Sequence, residues 1–477
     1  MPLRDDLYRR FRDFLPAEAL IADPESQRPF ECDGLPLHRE LPLLVALPDT
    51  VEQVRRILKI CDELGVPVVP RGAGTGLSAG ATPLGDGVLL GLAKFDRILE
   101  IDPIARIARV QPGVTNLAIS EAAAGHGLYY APDPSSQIAC TIGGNVAENS
   151  GGVHCLKYGL TTHNVLGVEM LTVSGEPVSI GGPALDAPGM DLMALLTGSE
   201  GLLGVVVEVT VKLLPLPETV RVLVAGFPTV EQAGDCVGRI IAAGIVPAGL
   251  EMMDRLAIRA AEDYVHAGYP VDAEAMLLCE VDGTAEEVED QVGRVEALMR
   301  EMGALSVTAS RDEAHRLLLW QGRKSAFPAV GRLAPDYYCM DGTIPRHRVS
   351  EVLREIDRMA GEAGLQVANV FHAGDGNLHP LILFDSSRPE QVAAAERLGG
   401  QILELSVAVG GCITGEHGVG LEKLAQMPAQ FSASELRQFE RIKEAFDPQL
   451  MLNPGKGIPL LKHCQEYRSL DRRGGDG

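Results

Sequence analysis

The chain has 477 residues, of which 46% are hydrophobic and 22% charged, values typical of a globular enzyme with two or three domains. Its 42 basic and 65 acidic residues give a formal net charge of −23. This charge argues against nucleic acid or an anionic membrane surface as the main partner, so no nucleic-acid partner is expected.

The cysteines and the N-terminal residues indicate the cellular compartment. Nine cysteines are scattered along the chain without a Cys-x-x-Cys motif. This predicts neither a disulfide framework nor an iron–sulfur cluster, and it favours a reducing, cytoplasmic location. The first fifteen residues are charged throughout, unlike a signal peptide, and no apolar run has transmembrane length. The protein is therefore not expected to be an integral membrane protein.

The first half of the chain predicts alternating α/β structure after a helical lead over residues 1–38. Apolar residues at helical spacing predict a helix over 50–65, and a short buried strand follows at 67–70. The strongest strand pattern, at 202–214, is followed by two prolines. These prolines predict a domain boundary at residue 217.

The second half repeats a strand–helix–strand pattern. One round covers 220–253, and a later round ends in a hairpin over 367–384. Such units favour a sheet with helices on one face, of the ferredoxin-like type. A further helix is predicted at 433–446. After the lead at 1–38, the predicted divisions are 39–217, 218–425, 426–459 and a tail at 460–477.

A glycine-rich stretch from Arg71 to Gly80 follows the strand at 67–70. Gly74, Gly76 and Ala79 fit a relaxed dinucleotide-binding fingerprint. That fingerprint requires a helix at the glycines, and the continuation over 80–87 cannot form an amphipathic helix, so a Rossmann fold is excluded. A loop whose N–H groups bind a pyrophosphate and a flexible surface loop both remain open.

A second stretch, over residues 131–152, is rich in glycine and small polar residues and poor in apolar ones. Loops of this length inside a compact domain are usually functional. The composition predicts backbone wrapped closely around a flat, polar ligand.

Two histidines flank the predicted turn Asp375–Gly376, and a Glu-His pair follows further along the chain. A two-residue Asp-Gly turn would place His372 opposite His379, with Cβ atoms about 5 Å apart. Two imidazoles and a carboxylate suit Zn, Mn or Fe, and a further imidazole suits a proton-abstracting base. The alternative for the pair alone is two ordinary core histidines.

Taken in order, the motifs resemble two levels of one flavoprotein family. PVVPRGAGTGLSAG, CTIGGNVAENSGG, KYG and GSEGLLGVV resemble the FAD-binding fold of the vanillyl-alcohol oxidase/p-cresol methylhydroxylase (PCMH-type) superfamily. WQGRKSAFPA, CMDGTIPR, FHAGDGNLH, TGEHGVG and NPGKG resemble its FAD-linked 2-hydroxyacid dehydrogenase branch. The resemblance covers residues 40–459. It implies an α+β fold: a PCMH-type FAD-binding domain of two α/β subdomains, a ferredoxin-like α+β cap or substrate domain, and a C-terminal helical segment returning to the flavin.

The resemblance implies non-covalent FAD, because Thr75 stands where covalent members carry a flavin-linking histidine. The implied pyrophosphate loop is Arg71, Gly72, Ala73, Gly74, Thr75 and Gly76. The implied residues around the isoalloxazine and ribityl chain are Pro132, Ser136, Thr141, Gly143, Gly144, Ala147, Asn149, Gly152 and Tyr158. Glu200 and Val206 would approach the adenosine end, and Asn453 would reach the flavin from the C-terminal segment.

The resemblance also implies a substrate site. Arg323 matches the arginine that binds the substrate carboxylate, for which bidentate pairing gives the geometry. His372, His379 and Glu416 match the ligands of a divalent metal, and His417 matches the catalytic base.

Three positions depart from the 2-hydroxyglutarate branch of the family. Cys339 stands where that branch has a basic residue, Phe327 where it has a threonine, and Leu381 where it has an asparagine. The loss of these polar groups favours a short monocarboxylate substrate, such as glycolate or D-lactate, over a dicarboxylate.

The implied activity is FAD-dependent, metal-assisted oxidation of a small 2-hydroxy acid to the 2-oxo acid. Electrons would pass to an external acceptor, with an iron–sulfur subunit and a second flavoprotein-like subunit as partners at the membrane face. Two alternatives stay within flavoenzymes: a D-2-hydroxyglutarate dehydrogenase-like enzyme and a non-redox enzyme of the alkylglycerone-phosphate synthase type. A further alternative is a non-catalytic FAD-binding subunit of a larger oxidase.

Overall fold

The computed structural model describes residues 2–184 and 189–459, which form two compact units. The first unit contains the described residues of Met1–Ser150, Leu160–Pro215 and Glu416–Gly477. The second contains Gly151–Gly159 and Leu216–Gly415. The predicted divisions at 38, 217 and 425 stay predictions, and the predicted tail at 460–477 lies outside the described residues.

The first unit has a four-stranded sheet that carries the glycine-rich loop. Its strands lie in the order Leu20–Ile21, Leu44–Ala46, Val88–Gly91 and Val68–Arg71, and the last three are parallel. The helix Val51–Leu64 begins where the Thr50 hydroxyl accepts the Gln53 N–H and ends at Gly65, whose φ is 64°. The helix predicted at 50–65 is confirmed.

The first unit also has a five-stranded antiparallel sheet. Its strands lie in the order Ile98–Asp102, Ile107–Val110, Val205–Lys212, Val165–Leu171 and Pro177–Gly181, and Leu128–Tyr129 pairs separately with Leu214–Pro215. The α-helices of this unit besides Val51–Leu64 are Pro2–Arg12, Pro24–Gln27, Asn116–Ala123, Ile142–Glu148, Leu192–Leu196, Met427–Gln430 and Ala433–Phe446.

The C-terminal segment completes the edge of the four-stranded sheet. The Val68 N–H donates to the Met451 carbonyl at 2.8 Å, and the Asn453 N–H donates to the Val68 carbonyl at 2.8 Å. The buried Lys443 ammonium bonds the carbonyls of Leu202 and Leu452 at 2.6 and 2.7 Å. These bonds hold the chain near Asn453 beside the strand that leads into the glycine-rich loop.

The structure corrects the expectation of irregular backbone throughout 131–152, because Ile142–Glu148 is a helix. Ile142 and Val146 are buried one turn apart, so the segment has one apolar face despite its glycines. A side chain would not fit at Gly143, because a Cβ there would lie 2.6 Å from Cβ of Pro112. The glycines serve close packing of this helix as well as the loop geometry.

The second unit is built on a seven-stranded antiparallel sheet. Its order is Ser306–Ala309, Thr219–Phe227, Ala275–Gly283, Gly249–Asp254, Gln366–Phe371, Pro380–Phe384 and Asp336–Cys339. Gly342–Thr343 pairs with Asn377–Leu378 beside it. The helices are Cys155–Tyr158, Val230–Ala242, Arg255–Val265, Ala285–Glu301, Glu313–Lys324, Ala326–Val330, Val349–Ala363 and Pro389–Ala408.

Helices cover both faces of this sheet, which corrects the expectation of one covered face. Val222, Met253 and Leu278 lie in a core with the helices Arg255–Val265 and Glu313–Lys324. The intervening positions are buried as well, as the strand Ala275–Gly283 illustrates. Strands buried on both faces lose the apolar/polar alternation from which one-sided burial is inferred.

No helix within residues 2–184 and 189–459 combines the length and the apolar character needed to span a bilayer. The cysteines described in those ranges are free thiols.

Candidate functional site

The glycine-rich loop after Val68–Arg71 is tightly folded over its own arginine. The Arg71 guanidinium donates to the carbonyls of Phe30, Cys32 and Ala81 at 3.3, 2.7 and 3.3 Å. Gly74 has a φ of 71°, and a Cβ there would lie 2.2 Å from the Arg71 guanidinium. The Arg71 side chain thus packs against the loop backbone at Gly74 and supports the fold of the loop.

The start of the helix Ile142–Glu148 lies beside this loop. A Cβ on Gly72 would lie 2.3 Å from Oγ1 of Thr141. That hydroxyl is buried and has no hydrogen-bond partner, and it does not cap the helix that it precedes. Close backbone approach and an unused buried hydroxyl are features of a cradle shaped for a ligand, so these residues fit the FAD implied by the family resemblance.

Asn453 and Glu200 connect the helix to the C-terminal segment within the first unit. The Asn453 amide donates to the carbonyls of Gly80 and Glu200 at 3.0 and 2.9 Å, while its buried Oδ1 lacks a partner. The Glu200 N–H donates to the Ala147 carbonyl at 2.8 Å. The structure therefore brings together Gly72, Thr141, Ala147, Glu200 and Asn453.

The Glu200 carboxylate itself holds a backbone turn. Its two oxygens accept the N–H groups of Val419 and Gly420, each at 2.7 Å. Burial, followed by the nearby charge of Glu200, raises the pKa of Glu148 well above its ordinary value. Burial lowers the pKa of Lys456 to about 7, although its ammonium bonds the carbonyls of Gly80 and Thr82.

Two of the residues predicted to bind FAD, Gly152 and Tyr158, lie in the second unit. The Tyr158 hydroxyl donates to the Asp282 carboxylate at 2.5 Å, and Lys157 forms an ion pair with the same carboxylate. The remaining residues predicted to bind FAD lie in the first unit, where Ser136 is half-buried in the turn before Cys140 and Val206 pairs with Met170.

In the second unit, the predicted two-residue turn at Asp375–Gly376 is wrong. His372 pairs with Asn377, not with His379. Gly376 has a φ of 83°, whereas Asp375 does not adopt positive φ and instead accepts the Asn377 N–H at 3.1 Å. The predicted turn needs positive φ at both positions, so the loop becomes longer and the register shifts.

The two imidazoles nevertheless lie together. The rings of His372 and His379 are 5.1 Å apart between centroids and nearly perpendicular, at 85°. Both residues are buried, with 4% and 2% of their surface exposed. The structure confirms the predicted proximity of the two rings, though not the predicted strand register.

A buried acid, which the sequence reasoning missed, lies between His372 and Arg323. Glu251 faces Nδ1 of His372 at 2.9 Å and forms an ion pair with Arg323 at 2.6 Å. Burial raises the pKa of Glu251, but its contacts with His372 and Arg323 outweigh that effect and hold the pKa below its ordinary value. We call Glu251, His372 and Arg323 the Glu251 cluster.

Asp341 is a second missed acid. One of its ligand atoms lies within 4.8 Å of a ligand atom of His379. The fully buried Asp341 also accepts the Thr414 hydroxyl at 2.7 Å and the Gly415 N–H at 2.9 Å. Gly415 ends the second unit, and Glu416 follows it directly in the chain.

Glu416 and His417 are adjacent in the chain and offer a carboxylate and an imidazole. Their ligand atoms lie within 4.8 Å of one another. The turn that follows them is the one held by Glu200, through the N–H groups of Val419 and Gly420. The Glu-His dipeptide is thus anchored immediately before it, at Gly415, and shortly after it, at Val419.

The three departures from the 2-hydroxyglutarate branch occupy apolar surroundings. The Phe327 ring lies 6.1 Å from the His379 ring. Leu381 is fully buried in the core of the second unit, and Cys339 is buried with it. The structure offers no polar side chain at these three positions.

A second cluster, the Glu280 cluster, has the same chemistry as the Glu251 cluster. Glu280 accepts from His154 at 2.8 Å and from Arg316 at 2.9 Å, and the Trp320 indole N–H also donates to it. Gly249 and Glu280 face each other across adjacent strands, so Glu251 and Glu280 point to the same face of the sheet. Arg316 and Arg323 belong to one helix, Glu313–Lys324.

The two missed acids differ in the signal that they leave in the sequence. Glu251 and Glu280 are acidic residues inside largely apolar strands (GLEMMD and AMLLCEVDG), and a charge inside a buried strand requires a partner. That signal was available, although it does not identify the partner. Asp341 lies in a short turn-like segment and leaves no comparable signal.

Comparison with known proteins gives matches along both units. Residues 42–181 match the family described as FAD binding domain, and residues 216–457 match FAD linked oxidases, C-terminal domain. The chain is 60% identical to glycolate oxidase subunit GlcD of Escherichia coli (strain K12), covering 98% of this chain and 94% of that protein. It is 31% identical to a D-lactate dehydrogenase of Anaerostipes hadrus, covering 94% and 97%.

Among solved structures, p-cresol methylhydroxylase with substrate bound has a TM-score of 0.82 at 17% identity, covering 96% of this chain and 98% of that one. At this identity the likeness shows the fold alone. Together with the FAD binding domain match at residues 42–181, it confirms the α+β fold with a PCMH-type FAD-binding domain.

Proposed function

This chain belongs to the family of FAD-linked oxidases, and from that premise we propose that it oxidises a small 2-hydroxy acid to the 2-oxo acid. Glycolate and D-lactate are the proposed substrates. The 60% identity with a glycolate oxidase subunit over 98% of the chain is the observation that carries this proposal. The paired imidazoles beside Glu251 and Arg323 support it independently, because a non-catalytic FAD-binding subunit has no need of them.

The proposed metal ligands are His372, His379 and Glu416. The 5.1 Å separation of the two imidazole rings supports a shared ion. Glu416 directly follows Gly415, whose N–H donates to the Asp341 carboxylate. Imidazole and carboxylate suit Zn, Mn or Fe. Such an ion would supply Lewis-acid polarisation of the substrate hydroxyl.

Non-covalent FAD is the proposed electron acceptor within the protein, held by the predicted residues from Arg71 to Asn453. Bound there, FAD would supply an acceptor for the hydride of the substrate carbon. The tight backbone at Gly72 and the unpartnered Thr141 hydroxyl support this assignment.

His417 and Arg323 are the proposed catalytic residues. His417 takes the proton of the substrate hydroxyl, a role for which an imidazole suits neutral pH. Arg323 binds the substrate carboxylate and so fixes the reacting carbon. A guanidinium has five N–H donors, so the nitrogen that faces Glu251 leaves others to bind the acid.

The proposed substrate is short because the residues at positions 327, 339 and 381, one of them beside the His379 ring, offer no polar partner to a second carboxylate. Phe327 lies beside that ring, and Leu381 is fully buried. A second carboxylate, as in 2-hydroxyglutarate, would be buried there without a partner, which is costly. The D-2-hydroxyglutarate alternative is therefore the weaker one.

The proposed partners are the iron–sulfur and second flavoprotein-like subunits of a glycolate oxidase complex. The GlcD relative is described as a subunit, which supports partner subunits for this chain too. No Cys-x-x-Cys motif occurs in the sequence, so electrons would leave the flavin for an external acceptor. A cytoplasmic location at the membrane face, through those subunits, is part of the same proposal.

Anaerobic reduction of the bound flavin tests this function. The FAD-loaded protein is mixed with glycolate, D-lactate, L-lactate and D-2-hydroxyglutarate, each before and after treatment with a chelator. Loss of flavin absorbance is expected with glycolate or D-lactate, and slower loss after chelation. An unbleached flavin with all four acids contradicts the proposal, and equal rates after verified metal removal contradict its metal component.

A further inference from the structure

The Glu251 cluster has a feature that the proposed roles of His372 and Arg323 leave unexplained. Glu251 is 1% exposed and lies on the strand Gly249–Asp254. Its carboxylate contacts His372, which is 121 residues further along the chain, and the buried Arg323. A carboxylate in such a place is costly unless its charge is balanced and its oxygens are bonded. Here both oxygens face partners, so the arrangement is complete within the second unit.

The contact with His372 is made at one ring nitrogen. Nδ1 lies 2.9 Å from one carboxylate oxygen of Glu251 and 3.0 Å from the other. A carboxylate has no proton to give, so Nδ1 carries the hydrogen and donates it. This fixes the tautomer of His372 and places the lone pair on Nε2, at the opposite side of the ring.

Arg323 has the complementary function of balancing the charge of Glu251. Its guanidinium lies 2.6 Å from the carboxylate and is itself 1% exposed. The positive charge holds Glu251 in its ionised form, which is the form that accepts the His372 hydrogen. Glu251 therefore contacts both His372, a proposed metal ligand, and Arg323, the proposed carboxylate-binding residue.

We propose that Glu251 is a positioning residue that orients His372 through Nδ1 so that Nε2 binds the divalent ion. The inference depends on the proposed function, because it assigns a support to one of the proposed metal ligands. Acidic partners of this kind set ring orientation and raise the basicity of metal-binding histidines.

The Glu280 cluster provides a matched control. Glu280 is 3% exposed, accepts from a histidine and an arginine, and lies on the adjacent strand facing the same side of the sheet. His154 is not among the proposed ligands. Replacing Glu280 therefore disturbs a buried acid of the same type without touching the proposed ion.

Calorimetric titration of the metal-free, FAD-loaded protein with Zn²⁺ and with Mn²⁺ tests the proposal. Glu251→Ala is expected to weaken binding of the ions by about 10- to 100-fold. Glu251→Gln is expected to weaken it measurably but by less than about tenfold, because the amide oxygen still accepts the His372 hydrogen. Glu280→Ala and Glu280→Gln are expected to bind the ions as the parent does.

Glu251→Gln keeps the shape of the side chain, so it decides the matter if Glu251→Ala does not fold. Parent-like affinity in the folded Glu251 variants overturns the inference while leaving the proposed function intact. An equal loss of affinity in the Glu280 variants also overturns it, because the effect would then be a general result of removing a buried acid. A parent protein that binds neither ion overturns the proposed metal site and this inference together.

Discussion

The Glu251 and Glu280 clusters use the same three residue types and differ in what surrounds the histidine. His372 has a second imidazole 5.1 Å away, whereas His154 lies near the Trp320 ring at 6.0 Å. The Glu251–Arg323 pair is 1% exposed at both side chains, whereas Arg316 is 18% exposed and also pairs with Glu313. Of the two clusters, the Glu251 cluster is therefore the one that combines a fully buried ion pair with a second imidazole nearby.

The difference shows that a buried acid–imidazole pair is not by itself a site. The Glu280 cluster fastens the segment Gly151–Gly159 to the sheet of the second unit, since His154 lies in that segment. Lys157 and Tyr158 reinforce the attachment at Asp282. The same chemistry thus serves attachment in one place and, in our proposal, a reaction centre in the other.

The largest expected effect separates the proposed base from the histidine of the Glu280 cluster. His417→Ala is expected to lower the rate of flavin reduction by glycolate or D-lactate by about 10²- to 10⁴-fold, the usual contribution of a general base. His154→Ala is expected to leave that rate within about threefold of the parent, because no proton of the reaction passes through it. Anaerobic stopped-flow absorbance measures both.

FAD content is the control for both histidine variants, and it is expected to stay at the parent level. A His417→Ala protein that holds FAD and reduces it at the parent rate would remove the base assignment. A large loss in His154→Ala with intact FAD would remove the distinction between the clusters.

A stability comparison between the two arginines is the next largest effect. Arg323→Met leaves the buried Glu251 without its counter-charge, which is expected to cost about 3–5 kcal/mol of unfolding free energy. Arg316→Met is expected to cost about 1 kcal/mol, because Glu280 keeps the Trp320 and His154 donors. Urea unfolding of the FAD-loaded proteins measures the difference, and equal costs would contradict the charge-balancing role of Arg323.

Sequence patterns predicted the local structure well where the cause was local. The helix at Val51–Leu64 follows from apolar spacing between Thr50 and Gly65, and the helix Ala433–Phe446 was predicted with the bounds observed. The two-residue turn predicted at Asp375–Gly376 was wrong because such a turn needs positive φ at both residues and only Gly376 has it. The hairpin was right, but its register was not.

The residue types of the proposed site were predicted from the sequence, whereas the residues that support them were not. His372, His379 and Arg323 were identified from motifs, and the structure places them within one unit. Glu251 was missed because its partner His372 is 121 residues away, a pairing that no local pattern encodes. Helices on both faces of the sheet were missed because fully buried strands do not alternate.

A smaller effect distinguishes Glu251 from Glu148, a buried acid of the first unit. Burial raises the pKa of Glu148 above 4.5, so the stability it contributes is present below pH 4.5 and is lost as the pH rises through its folded-state value. Glu148→Gln is therefore expected to flatten the fall in stability above pH 4.5. Urea unfolding between pH 4 and 8 measures it, relative to the parent.

Glu251→Gln should act with the opposite sign. The lowered pKa of Glu251 gives stability that is present above pH 4.5 and is lost as the pH falls through the folded-state value. Glu251→Gln is therefore expected to be less stable than the parent at neutral pH, and this difference in stability is expected to shrink as the pH falls. The same pH trend in both variants would contradict the contrast between a paired acid and an unbalanced one.

The metal position is the most direct test of the central claim. Crystals of the FAD-loaded protein grown with Mn²⁺ or Zn²⁺ are measured on both sides of the absorption edge of the metal. The account predicts an anomalous peak bonded to Nε2 of His372 and to His379, and none beside His154. Density bonded to His154, or no peak at His372 in protein that reduces its flavin with glycolate, would contradict it.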